Sequence, residues 1–152
     1  MPNWDERFLE LAKLVATWSK DRSRKVGCVI VGPNREVRSL GYNGFPRGVD
    51  DTVEERYYRP AKLLWTEHAE RNALLNAARM GTSTEGCTAY VPWYPCSDCG
   101  RALIQAGIRT VVAYEPDWND PQWGHGFQVT KAMMFEAGVE VRIVPGSIGE
   151  AK

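Results

Sequence analysis

From Cys87 onward the chain repeats one pattern, a short β-branched run followed by a single helix-like stretch closed by glycine. CTAYVPW (87–93) leads to CSDCGRALIQAG (96–107), IRTVVAY (108–114) leads to FQVTKAMMFEAG (127–138), and VEVRIV (139–144) ends the series. Strands separated by one helix need a crossover rather than a tight turn, so they lie parallel with right-handed connections. Ahead of them VGCVIV (26–31), the turn GPNR and EVRSLGY (36–42) read as a hairpin. Asn3 and Glu6 form a capping box, and Phe8, Leu11, Leu14, Val15 and Trp18 recur at helical spacing, predicting a first helix over roughly 4–20. A further helix starts near Thr66, runs through EHAERNALLNAAR and ends at Gly81. The connection 43–64 is long and rich in turn residues, as functional or mobile loops are. The predicted order is α-β-β-α-β-α-β-α-β: an α/β domain over 1–152 with a five-stranded mixed sheet and helices on both faces.

A chain of 152 residues is long enough for one real core. No apolar run approaches the roughly 18 residues of a membrane-spanning helix. The start, MPNWDERFLELAK, has acids where a secretory signal would be apolar, and the four cysteines are read as thiols of a reducing compartment, the cytoplasm. Nineteen basic residues balance nineteen acidic ones, which disfavours a long nucleic acid as partner. The one dense basic cluster, Lys20, Arg22, Arg24 and Lys25 in SKDRSRK, is either a solvated loop or a site for one small phosphate.

Chemistry concentrates in two short stretches. In VPWYPCSDCG, Cys96 and Cys99 fall on one face of a helix's first turn, with Pro95 marking its entry. In TEHAERNALL, His68 opens a helix and Glu70 follows two residues later. Residues two apart on a regular helix point about 200° from one another, so both face one pocket only at a helix start. Two helix N-termini could thus bring one imidazole and two thiols together, the three-ligand set of a catalytic zinc that keeps a fourth position for water. The positive helix ends favour thiolate, and Glu70 stands as the proton carrier. Two other readings of the cysteines are a thioredoxin-like redox pair and a structural zinc site completed by Cys28, Cys87 or His125. Cys28 and Cys87 sit in strand-like runs and read as small buried hydrophobes, and His125 as a loop or helix-cap residue.

His-Ala-Glu at 68–70 followed by Pro-Cys-Ser-Asp-Cys at 95–99 matches the signature of zinc-dependent nucleobase deaminases. With SKDRSRKVGCVIV (19–31), GYNGFPRG (41–48), HAERNALL (68–75), GCTAYV (86–91) and IQAGI (104–108), the chain resembles the cytidine and deoxycytidylate deaminase superfamily, in its deoxycytidylate branch, over nearly all of 5–144. The resemblance implies a cytidine-deaminase-like three-layer α/β/α sandwich and hydrolysis of dCMP to dUMP, with one Zn²⁺ held by His68, Cys96 and Cys99 and Glu70 as proton shuttle. It further implies that Asn43 contacts the sugar and the backbone of Ala69 the base; the basic cluster makes Arg22, Arg24 and Arg47 phosphate candidates. A homo-oligomer, hexameric in the family, and regulation by dCTP and dTTP are implied as well. Other small aminated bases, nucleosides or nucleotides (cytosine, guanine, dCTP) are the alternative substrates, and a tRNA-editing activity is disfavoured by the neutral charge. Two places depart from the pattern: Cys28 stands where many relatives have alanine, and EPDWNDPQW replaces a shorter segment. The stretch 50–64 offers no Cys or His for a second zinc. Tyr57, Tyr58 and Trp123 are candidate subunit contacts.

Overall fold

The structure, a computed structural model, describes residues 2–148; residues 1 and 149–152 of the span expected as one domain lie outside it. In chain order the elements are α1 (Trp4–Ala16), β1 (Gly27–Val31), β2 (Val37–Tyr42), a 3₁₀ turn (Glu54–Tyr57), α2 (Lys62–Trp65) and α3 (Ala69–Met80). They continue as β3 (Thr88–Tyr90), α4 (Ser97–Gln105), β4 (Thr110–Tyr114), α5 (Gly124–Ala137) and β5 (Glu140–Val144). The sheet has five strands in the order β2-β1-β3-β4-β5. The β3–β4 and β4–β5 pairs are parallel, whereas β1 runs antiparallel to both its neighbours. The expected mixed sheet is present, with one detail that periodicity did not show: α3 carries the chain from β2 past β1, so β3 joins the hairpin on the far side of its first strand.

Side chains of alternate sign of the pleat build two cores. Cys28, Ile30, Ala89 and Val111 point to one face and pack with Ala73 of α3, Leu103 of α4 and Met134 of α5. Val29, Val31, Tyr90 and Val112 point to the other and meet Leu9, Ala12 and Val15 of α1. That is the three-layer sandwich, with β1 and β4 buried along their whole length, as strands covered on both faces must be. Cys28 and Cys87 are fully buried in the first of these cores, as small apolar side chains.

The capping box at Asn3 and Glu6 is formed in both directions. The first helix stops at Ala16, short of the expected 20, because Thr17 turns its amide and hydroxyl back onto the Leu14 carbonyl and tightens the last turn. Trp18 is left half-exposed, edge-on to Tyr42. The fifth helix begins at Gly124 rather than 127. Glycines Gly81, Gly107 and Gly138, read as helix terminators, all take positive φ (69°, 82° and 76°). The connection 43–64 carries the 3₁₀ turn and the start of α2, which fold it back over the N-termini of the site helices. Tyr57, expected outside, is buried there against Phe45, its hydroxyl donating to the Asp51 carbonyl.

Candidate active site

Two helices supply the site from their first turns. His68 is the N-cap of α3 and Cys96 that of α4, both with extended backbone (φ −79°, ψ 155° and φ −68°, ψ 170°). Neither side chain caps its own helix, so each is free to turn toward the other. An isolated bridge between Gly44 and Glu67, with amide–carbonyl bonds in both directions, fixes the approach of His68. The extended N-cap also resolves the two-residue spacing: His68 lies outside the helix and Glu70 in its first turn, so both reach one cavity.

His68 Nδ1 stands 3.2 Å from Cys99 Sγ and 3.5 Å from Cys96 Sγ. The three donor atoms lie within 4.8 Å of one another, and no other such cluster of His, Cys, Asp or Glu occurs among the described residues. Two sulfurs near 2.3 Å and one imidazole nitrogen near 2.0 Å from a common centre would be about 3.6 Å apart in a tetrahedron, so the trio fits zinc, with Nδ1 as the imidazole ligand. Cys28 and Cys87 are not part of the cluster, and His125 lies exposed on α5. The structural four-ligand reading therefore has no fourth protein donor among the described residues.

The electrostatics of the trio centre on one thiolate, Cys96. Cys96 is pushed down to about 4, chiefly by the hydrogen bond it accepts from Cys99, with His68 adding to the effect. His68 is held up at about 9 by its hydrogen bond to Cys96. Cys99, whose thiol donates to Cys96 and is buried, is pushed far up. The Cys96 thiolate thus sits at the N-terminus of α4, where negative charge is favoured. Glu70 is buried, at 4% exposure, and burial first and the Cys96 thiolate second raise it to about 7. A carboxyl poised there can both take and give a proton at neutral pH.

The trio and Glu70 open onto a cavity of about 160 Å³, lined also by Arg24, Asn43, Ala69, Trp93 and Trp123. Of the residues expected from sequence, Asn43, Ala69 and Arg24 line this cavity. Arg22 and Arg47 do not. Arg22 makes a two-nitrogen pair with Glu54 and lies over Tyr57; Arg47 donates to Asn76 on the outer side of α3. Asn43 is buried with its amide engaged on the main chain, Oδ1 accepting from Val26 N and Nδ2 donating to the Arg24 carbonyl, at 2.9 Å each. Sequence reasoning missed Arg59, Lys62, Trp93 and the cavity role of Trp123. The first two come from the connection and the last from the departing loop, where no periodicity signals direction. Thr66 Oγ1, also in this wall, is the one buried side-chain oxygen or nitrogen without a partner among the described residues.

A family model of the cytidine and deoxycytidylate deaminase zinc-binding region matches residues 2–115, which hold all four of His68, Glu70, Cys96 and Cys99. An uncharacterized deaminase of Aliivibrio fischeri is 43% identical over 145 residues, covering 93% of this chain and 94% of the relative. Human deoxycytidylate deaminase is 36% identical over 124 residues, covering 77% of this chain and 67% of the human one. Among solved structures, a dCMP deaminase of cyanophage S-TIM5 in complex with dCMP and dUMP superposes with a TM-score of 0.75 at 27% identity, covering 95% of this chain and 98% of that one. With the family model matched over residues 2–115 and the cluster of His68, Cys96 and Cys99 inside the match, the chain belongs to the family of zinc-binding cytidine and deoxycytidylate deaminases.

Proposed function

We propose that the protein hydrolyses dCMP to dUMP and ammonia. The observation that carries this reading is the cluster of His68, Cys96 and Cys99 with no fourth protein donor among the described residues, facing the same cavity as a carboxyl held near neutrality. The full-length likeness to a phage enzyme crystallised with dCMP and dUMP supports the choice of substrate. Bound by His68 Nδ1 and the two sulfurs, zinc would supply a Lewis acid that brings a water's pKa to about 7. As the water's oxygen bonds to C4, Glu70 takes the proton it gives up and places it on N3 of the cytosine ring; it then carries the remaining proton of the C4 hydroxyl to the 4-amino group, which leaves as ammonia when the C4–N bond breaks. Its burial keeps it available in both forms. The amide of Ala69, at the first position of α3, is an unpaired helix-end donor beside the base. Asn43 has one amide hydrogen left after its bond to Arg24 and offers it to the sugar. Trp93 and Trp123 wall the cavity and exclude water from the ring.

The same reading makes the protein a cytoplasmic enzyme of nucleotide supply, assembled as a homo-hexamer and controlled by dCTP and dTTP. No helix of the described residues is long and apolar enough to cross a membrane. Turnover of dCMP, deoxycytidine, cytosine and guanine by zinc-loaded protein tests the substrate, with dCTP or dTTP added in parallel and sedimentation reporting the assembly. Preference for dCMP is the expected result. Equal or better turnover of the unphosphorylated compounds overturns the nucleotide reading.

A further inference from the structure

We propose that Arg24 and Arg59 form a two-guanidinium clamp at the mouth of the catalytic cavity that takes a dianionic phosphate monoester. The assignment names the phosphate contacts of the substrate proposed above and rests on that reading for the identity of the nucleotide, but not for the binding of phosphate itself.

Both arginines line the cavity that holds His68, Glu70 and Cys96. Arg24 is half-buried, its Cζ 3.6 Å from the centre of the Trp93 ring. None of its guanidinium nitrogens has a hydrogen-bond partner or a carboxylate within ion-pair distance among the described residues. A guanidinium carries five donors, and leaving them unmet away from water is costly. Arg59 reaches the same mouth from the segment before α2, exposed, over Trp123 and donating to the Gln122 side chain. It too lacks an ion-pair partner among the described residues.

Neighbouring cations differ in just this respect. Lys20 is paired with Asp51, Arg22 with Glu54 and Lys62 with Asp21. Arg24 and Arg59 both face the cavity without an ion-pair carboxylate among the described residues, and they oppose one another: burial lowers the pKa of Arg24, Asp120 partly offsets that, and Arg59 lowers it further. Asp120 interacts electrostatically with both but forms an ion pair with neither, and its Oδ1 is taken by the amides of Gln122 and Trp123, at 2.8 and 2.9 Å. A ligand with several anionic oxygens relieves this arrangement, because two planar forks match tetrahedral phosphate better than a single carboxylate. Aromatic faces under each arginine hold the forks in place without consuming their hydrogens.

The clamp is also built to keep its shape. The Asp21 carboxylate accepts from the amides of Ser23 and Arg24 and from Lys62 Nζ, at 2.8, 3.0 and 2.9 Å. One buried side chain therefore ties the loop bearing Arg24 to the helix that follows Arg59.

Titration calorimetry of zinc-loaded protein with inorganic phosphate, and separately with dUMP, tests the clamp. Arg24→Ala and Arg59→Ala should each weaken phosphate binding about ten- to a hundredfold, the worth of one or two charge-assisted hydrogen bonds. Lysine at either position should recover only part of it. Arg38→Ala, a paired arginine on the far end of β2, serves as the control. In turnover, the ratio of kcat/KM for dCMP to that for deoxycytidine should fall by a similar factor in both alanine variants. If phosphate binding is unchanged in folded Arg59→Ala, or falls equally in Arg22→Ala, the clamp is wrong whatever the enzyme's substrate. If phosphate binds with the expected arginine dependence while dCMP is not deaminated, the clamp stands and the dCMP reading fails.

Discussion

Lys62 Nζ lies 2.9 Å from Oδ1 of Asp21, with the two side chains 14% and 3% exposed. This pair joins the loop after α1 to α2, the helix before His68. Burial alone would raise the Asp21 carboxyl, but the Arg24 amide, the Lys62 ammonium and the Ser23 amide together hold it below its free value of 3.8. Asp21→Ala would leave an ammonium and two amides unpaired, a change expected to cost about 3–5 kcal/mol, as breaking a buried pair does. Because the folded value is the lower one, the contribution is fully present above about pH 4 and is lost as acid carries the carboxyl through that lowered value. Urea midpoints of wild type and variant should therefore differ widely at pH 7 and converge toward pH 3. A constant difference across that range would show that the charge is not responsible.

Gly41, in the GYNG stretch, marks a close approach of β2 to α3. A Cβ there would stand 2.4 Å from Ala73 N and 2.7 Å from the Ala69 carbonyl oxygen, backbone atoms that cannot rotate away. Gly41→Ala should push α3 outward and cost about 1–3 kcal/mol, with weaker zinc binding because His68 and Glu70 ride at that end of the helix. Gly44, three residues on in the same stretch, has nothing within 4 Å of its Cβ position. Thermal unfolding of Gly44→Ala close to wild type, beside a clear drop for Gly41→Ala, is the expected pair of results.

What the sequence disclosed and what it withheld divide along physical lines. The strands and the sheet's two-faced core follow from runs such as VGCVIV, where every residue is apolar because both faces are covered. The metal cluster was legible because His68, Cys96 and Cys99 are scarce residue types at spacings that a helix start converts into convergence. The sheet's antiparallel β1–β3 pair was not, since periodicity tells which elements alternate and not which strand a crossover skips. Charge counted along the chain also misled. Arg22 and Arg24 look equivalent in SKDRSRK, but Glu54, distant in sequence, neutralises the first and leaves the second facing the cavity. Arg59 carries no signal at all until the connection folds over the helix starts.

Removing any one of the three donors should remove the metal. His68→Ala and Cys99→Ser are expected to purify with far less than the roughly one zinc per chain of the wild type, as a site with two protein ligands left has lost a third of its grip. Cys87→Ala should keep its zinc, since Cys87 sits in the core under Ser83 and away from the cluster. Adding zinc to chelator-stripped protein should raise its melting temperature, increasingly with free zinc, and do so less in the His68 and Cys99 variants. Elemental analysis alongside calorimetry reads both effects, and full zinc content in Cys99→Ser would reject the assignment.

Glu70 makes the sharpest distinction between holding metal and doing chemistry. Its carboxyl faces the cavity beside the three donors but is not one of them, so Glu70→Gln preserves shape and volume while ending proton transfer. Zinc content should stay at the wild-type level, and kcat should fall roughly 10²–10⁴-fold, the range for losing a general acid–base. The neutral amide also removes a buried group whose ionisation burial opposes, so the variant should fold at least as stably as the wild type. Lost zinc together with lost activity would instead move Glu70 into the metal's ligand shell.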